Sequence, residues 1–231
     1  MRDDICTIPV SEVFEHNDGC PICRMRDTIE ERMTDYILGD AMMEPDVRIE
    51  TNKTGFCEHH YNNMMSHRGR LQLALMLQTH INEINGEIFK KKLFNTDSKK
   101  TGNAKNITDS CFICSKIEWG LSRMIDTVYR CYETQKDFRD MFNSQSMFCL
   151  PHYERLLGGA SKRNMKSYYS EFSENLNRIT GEYSKSLYDD LSKYCTMYDY
   201  RSRDGETDWG NSRDAVERTV AFLNGRIYDV Y

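Results

Sequence analysis

The chain has 231 residues, of which 39% are hydrophobic and 29% charged, and it carries a formal net charge of -5. That length and balance exclude a disordered polymer and allow one or two domains with a sizeable core. The acidic balance gives no general drive toward nucleic acid or anionic membranes, and the longest apolar candidate, Leu71 to Leu77, is far shorter than a membrane span. The first residues, Met1-Arg2-Asp3-Asp4, lack the apolar stretch of a signal peptide, which places the protein in the cytoplasm. In that reducing compartment the closely spaced cysteines among the nine, with histidines near them, read as metal ligands rather than disulfides.

In chain order, Ile8 to Phe14 reads as a short helix ending at Asn17-Asp18-Gly19. Cys20 to Leu38 follows with Ile22, Met25, Ile29, Met33 and Tyr36 three or four apart, an amphipathic helix with Pro21 suited to its first position. Pro45 to Glu50 predicts a short helix, and a further helix starts near Cys57. Gly69 to Phe94 predicts a longer one with a core stripe of Leu73, Leu77, Ile81, Ile84 and Ile88. Residues 95–109 are polar, contain Gly102 and show no apolar period, so they read as a linker between halves 1–94 and 110–231. The second half repeats the order with a helix over Cys111 to Tyr132, a short segment around Asp137 to Phe142, and a helix after Cys149. Lys162 to about Tyr200 then carries a sustained three-and-four spacing from Met165 to Tyr198, a long helix. Ser212 caps a last helix that ends at Asn224-Gly225. No stretch alternates with period two. The predicted fold is all-α.

Four pairs of sulfur and nitrogen donors punctuate this order: Cys20 and Cys23, Cys57 and His60, Cys111 and Cys114, Cys149 and His152. They belong to an internal duplication. At an offset of 91, Cys20, Ile22 and Cys23 map onto Cys111, Ile113 and Cys114, and Arg32, Met33 and Asp35 onto Arg123, Met124 and Asp126. Asp46 and Arg48 fall on Asp137 and Arg139; after one inserted residue, Phe56, Cys57, His60 and Tyr61 fall on Phe148, Cys149, His152 and Tyr153. The comparison selects His60 over His59, because Pro151 stands opposite His59 and leaves it a surface or supporting role.

Three cysteines and one histidine suit one tetrahedral zinc. Reading each repeat as its own unit groups Cys20, Cys23, Cys57 and His60 around one ion, and Cys111, Cys114, Cys149 and His152 around a second. Two zinc ions per chain are expected. Each pair lies at a helix start, where backbone N–H groups and the positive end of the helix dipole favour thiolates. Four protein ligands close the coordination shell, which argues for architecture over chemistry, and no catalytic or cofactor-binding constellation accompanies them. An iron or iron–sulfur centre also fits three cysteines and a histidine. The rival functions are a redox protein or metal-dependent enzyme using the Cys-x2-Cys pairs, and a nucleic-acid-binding zinc module using the lysines at 90–92, Lys99, Lys100 and Lys105.

Cys6, Cys131 and Cys195 have no partner in the duplication and read as small buried hydrophobes, and His16, His67 and His80 as surface or satisfied core imidazoles. Met42, Met43, Met64 and Met65 read as helix-core packing. Asp46/Arg48 and Asp137/Arg139 read as braces for the short helices, and off-stripe tyrosines of the last third as an interaction face.

The runs Ile8-Pro9-Val10, Cys20-Pro21-Ile22-Cys23-Arg24, Met43-Glu44-Pro45-Asp46-Val47-Arg48, Thr51 to Cys57, Leu73 to Leu77 and Phe148 to Tyr153 carry a resemblance across most of the chain. The sequence resembles an uncharacterised bacterial family of clostridia and related anaerobes, known by a domain-of-unknown-function label, with two CxxC…FCxxH repeats. That resemblance implies a cytoplasmic bacterial protein and supplies no activity. The sequence thus predicts a non-enzymatic zinc protein of two tandem helical repeats, each pinned by a Cys3His site. A long helix and a C-terminal helix complete it, and its surface engages an unknown protein partner.

Overall fold

The computed structural model describes residues 7–89, 96–161, 165–198 and 208–225. Cys6, Lys90, Lys91, Lys92, Lys162 and Tyr200 lie outside the described residues, as does the side chain of Met42. Among the described residues the regular structure is helical, with no strand. The helices are α1 (Thr7–Phe14), α2 (Pro21–Leu38), α3 (Pro45–Thr54), α4 (Glu58–Ser66), α5 (Arg70–Ile84), α6 (Asp97–Thr108), α7 (Phe112–Thr134), α8 (Lys136–Asn143), α9 (Leu150–Gly159), α10 (Tyr169–Tyr198) and α11 (Ala215–Asn224). A π-helical turn, Asn85–Phe89, extends α5. None of these helices is long and apolar enough to cross a membrane.

The chain packs into two compact units, and they are not the two sequence repeats. One unit is Met1–Met25 with Ser122–Tyr231, and the other is Arg26–Leu121. The boundaries fall inside α2 and α7 rather than at 95–109. The stretch expected to be a linker is instead α6. Its start is capped by Thr96, whose hydroxyl accepts from the Lys99 N–H, and Asp97 stands in its first turn. At the offset of 91, Thr7–Phe14 falls on residues 98–105, so α6 is the second copy of α1. The duplication extends further toward the N-terminus than its ligands suggest.

In the unit of residues 26–121, Ile37, Leu38, Ala41, Phe56, Met64, Leu73, Met76, Phe112 and Ile113 form one buried cluster. Burying each large side chain contributes about 1.5–3 kcal/mol before entropy. The α5 stripe is Leu73, Met76, His80 and, within the π turn, Ile88, while Ile81 is exposed. The expected stripe opened with two steps of four, Leu73 to Leu77 to Ile81, and each such step drifts about 40° round a helix of 3.6 residues per turn. Two steps carry Ile81 out of the core. His80 is a satisfied core imidazole, its Nδ1 2.8 Å from the Asn52 carbonyl oxygen.

In the other unit the core is aromatic. Phe142 is ringed by Phe14, Phe148, Phe172 and Tyr132 at centroid distances of 5.7, 4.9, 4.9 and 5.1 Å. Phe14 also meets Phe138 at 4.9 Å. Such pairs add about 0.5–1.5 kcal/mol beyond their burial. The long helix α10 supplies Phe172, Leu176, Ile179 and Leu187, and α11 supplies Ala215 and Phe222. Tyr188 and Tyr198 are exposed, while Tyr194 and Tyr198 pack against Trp209.

The acid–arginine pairs brace the short helices, as their recurrence suggested. Asp46 and Asp137 occupy the first turns of α3 and α8. Arg48 donates to the Leu75 carbonyl and the Thr79 hydroxyl of α5, at 3.1 and 3.0 Å. Arg139 donates to the Tyr132 carbonyl at 2.9 Å and lies over the Tyr168 ring. Of the other readings, Met64 and Cys131 are buried, whereas Met43, Met65 and Cys195 are exposed rather than in the core.

Gly55 ends α3 at φ 59°, ψ -154°, a combination that is essentially glycine's alone. A Cβ there would stand 2.8 Å from His80 Nε2. Gly55→Ala should therefore cost about 1–3 kcal/mol, read as a lower denaturant midpoint with unchanged m-value.

Candidate metal centres

Each Cys-x2-Cys or Cys-x2-His pair is set by a helix start. Cys57 and Cys149 are the N-cap residues of α4 and α9, with extended backbone, and their carbonyls accept from Tyr61 and Tyr153. Cys20 and Cys111 stand one residue before α2 and α7, and their carbonyls accept from Arg24 and Ser115. The second donor of every pair lies three residues on, in the first turn, where it comes back beside the first.

All eight predicted residues converge, in two groups of four, but the groups are crossed. Cys20 and Cys23 meet Cys149 and His152; Cys57 and His60 meet Cys111 and Cys114. The expected grouping within each repeat is thereby corrected: each centre takes its thiol pair from one repeat and its Cys–His pair from the other. Each centre lies wholly within one compact unit.

The turns leading into the pairs decide this partnership. In one unit Gln145 Nε2 donates to the Phe14 carbonyl at 2.8 Å and Asn17 Nδ2 to the Ser144 carbonyl at 2.9 Å, tying the approach to Cys20 to the approach to Cys149. In the other, the Phe112 N–H donates to the Gly55 carbonyl at 3.0 Å and the Ser110 hydroxyl to the Thr54 carbonyl at 2.7 Å. Those bonds tie the approach to Cys111 to the approach to Cys57. Helix packing agrees, with α1 on α8 and its copy α6 on α3.

In the first centre His152 Nδ1 lies 3.1, 3.3 and 3.6 Å from Cys149, Cys23 and Cys20, and Cys23 Sγ lies 3.6 Å from Cys149 Sγ. Cys20, Cys149 and His152 are buried. Cys23 is half-buried and donates to the Gly225 carbonyl at 2.9 Å, at the left-handed cap of α11. In the second centre His60 Nδ1 lies 3.1, 3.3 and 3.4 Å from Cys57, Cys111 and Cys114, and Cys57 Sγ lies 3.8 Å from Cys114 Sγ. Here Cys114 is exposed and Cys57 half-buried. Either group of four donors could hold a metal ion.

Crowding splits the thiols. Burial opposes charge on Cys111, yet the His60 imidazole and backbone N–H groups outweigh it and bring its pKa down to about 6. Cys114, penalised by burial and by the neighbouring thiolate, is pushed up. The first centre repeats the pattern. Burial is outweighed at Cys20 by hydrogen bonds from Cys149, Cys23 and His152, which hold it well below the usual thiol range. Cys23 rises through its thiol neighbours Cys149 and Cys20, and Cys149, chiefly through Cys20, rises to about 12. Three thiols cannot ionise side by side without a compensating positive charge, which a divalent cation held among them could supply.

The chain belongs to DUF6062. This family of unknown function matches residues 1–230. No curated protein and no solved structure matches the chain. For this DUF6062 member, functional argument therefore rests on the centres themselves.

One residue of the second centre escaped the sequence reading. Glu30 is 5% exposed, and its Oε1 lies 3.2 Å from His60 Nε2 and 2.7 Å from His59 Nε2. The carboxylate stands at ion-pair distance from the outer nitrogen but out of line for a hydrogen bond to it; as a charge beside Nε2 it favours the proton there and leaves Nδ1 to the thiols. Burial opposes charge on His60, but Cys111 on one side and Glu30 on the other push its pKa up to about 10. His59 takes the supporting place expected of it. The signal for Glu30 was a charge in phase with Thr34, Ile37 and Leu38 along α2, since a carboxylate on a buried face has a partner there.

Two measurements check these assignments. Crossed ligation predicts that the double variant Cys57→Ser, Cys114→Ser loses one ion per chain and Cys23→Ser, Cys57→Ser loses both, counted by native mass spectrometry. Glu30→Gln should weaken the second centre's metal affinity about 10–100-fold in chelator competition while sparing the first.

Proposed function

We propose that this protein is a non-enzymatic zinc protein, in which two Cys3His zinc ions hold a helical scaffold together for a protein partner. The observation that carries the zinc reading is the spacing of the donors. Tetrahedral zinc with bonds of about 2.3 Å to sulfur and about 2.0–2.1 Å to nitrogen sets S···S at about 3.8 Å and S···N at about 3.6 Å. One thiol pair in each centre stands close to that S···S spacing, at 3.6 and 3.8 Å, and the thiol–imidazole contacts run from 3.1 to 3.6 Å, at or below the S···N one. Soft thiolates with one imidazole select zinc over the hard cations. Four protein ligands leave no position for substrate or activated water, which supports a structural role.

The energetics support it as well. A structural zinc ion contributes about 10–16 kcal/mol of apparent binding energy, as much as the whole stability of a typical domain. Each ion ties together two helix starts that are 51 to 132 positions apart in sequence. The eight described cysteines are free thiols, which suits a reducing compartment such as the cytoplasm. The partner reading draws on Val216, Val220 and Leu223, exposed at successive turns of α11.

A second reading, thiol redox chemistry, draws on one feature: the exposed Cys114 beside the low-pKa Cys111. Elemental analysis of protein purified without added metal separates the two. The zinc reading expects about two zinc ions per chain and loss of helical circular dichroism when a strong chelator removes them. Metal-free chain with unchanged thermal stability would defeat it, and iron with visible absorbance would replace zinc by an iron centre.

A further inference from the structure

The two centres hold the same donors but are not equally enclosed. In the first, three of the four ligands are buried, and the α11 cap sets the Gly225 carbonyl 2.9 Å from the remaining sulfur, Cys23. In the second, Cys114 is exposed, Cys57 is half-buried, and the side of His60 away from the thiols leads through Glu30 to His59, whose side chain is 42% exposed. A zinc ion leaves a thiolate site by stepwise substitution, in which an incoming donor or a proton must reach the sulfur it displaces. The rate then follows access to the ligand sulfurs, which the surrounding shell controls. The duplication supplies identical ligands, so the difference arises from what each unit places around them. Leu121 stands in the second repeat where Glu30 stands in the first, and α11 has no copy in the first repeat.

From this we infer that the centres divide their roles. Cys20, Cys23, Cys149 and His152 form a permanent staple, whereas Cys57, His60, Cys111 and Cys114 form an exchangeable centre. The latter gives up and retakes a thiophilic divalent ion to a small thiol or chelating ligand arriving at Cys114. The inference rests on the metal reading above and adds to it an order of release.

Full-length zinc-loaded protein mixed with excess 4-(2-pyridylazo)resorcinol tests the order. Two phases of equal amplitude are expected, the faster by about tenfold or more. Quenching with iodoacetamide after the first phase should place label on Cys57, Cys111 and Cys114 and leave Cys20, Cys23 and Cys149 protected, as peptide mass mapping would read. Cys114→Ser should remove the fast phase and keep the slow one. Label appearing first on the Cys20 group, or on both groups at one rate, would overturn the order while leaving the zinc reading intact. A wild-type chain that never carried two zinc ions would overturn both, and the elemental analysis tells these failures apart.

Discussion

The structure depends on how the turn before one ligand pair is bonded to the turn before another. Gly55 with Phe112, Thr54 with Ser110, Phe14 with Gln145 and Asn17 with Ser144 are backbone-anchored contacts, and they bring four helix starts together two by two. Once these contacts form, the donor groups have no freedom to choose other partners. Each cluster then collects three thiols that cannot all ionise without a cation. Backbone geometry selects the partners, and thiol electrostatics favours a cation among them.

Crossing the repeats costs little in chain entropy. Cys23 and Cys57 are 34 positions apart, whereas Cys23 and Cys149 are 126 apart. That widening is just under two doublings of loop length, about 1 kcal/mol. A single well-packed phenylalanine outweighs it, and the contact of Phe14 with Phe138 and Phe142 lies on the crossed side. Proximity in sequence is therefore a weak guide to which pairs share an ion. The same arithmetic explains why a duplicated chain can exchange halves between its copies: every unit still contains one α1-type helix, one thiol pair and one Cys–His pair.

The duplication also shows where equivalence stops. Both copies keep their ligands, their arginine braces and their acidic first turns, because these serve the centre and the short helix beside it. Glu30 and the α11 cap occur once each, on different units, and they give otherwise matched centres different surroundings. Glu30 sets a carboxylate beside the outer nitrogen of one centre's histidine; the Gly225 carbonyl lies against one sulfur of the other centre. Two sets of the same four donors thus have two different degrees of enclosure.

Helix content, the presence of two Cys3His clusters and the duplication were legible in the sequence, because each is written in local spacing. A period near 3.6, a donor repeated at three residues and an offset of 91 need no knowledge of what lies opposite. What the tertiary structure alone decided was partnership. The grouping of the eight Cys and His residues, the rotation of the α5 stripe and the burial of Glu30 all depend on residues far away in sequence. The α6 helix has no apolar period of its own; beside its Thr96 cap, its packing on α3 and the π turn and its place as the copy of α1 distinguish it from a linker. Long-range pairing is worth several kilocalories in packing against about one in loop entropy, so spacing within the chain could not reveal it.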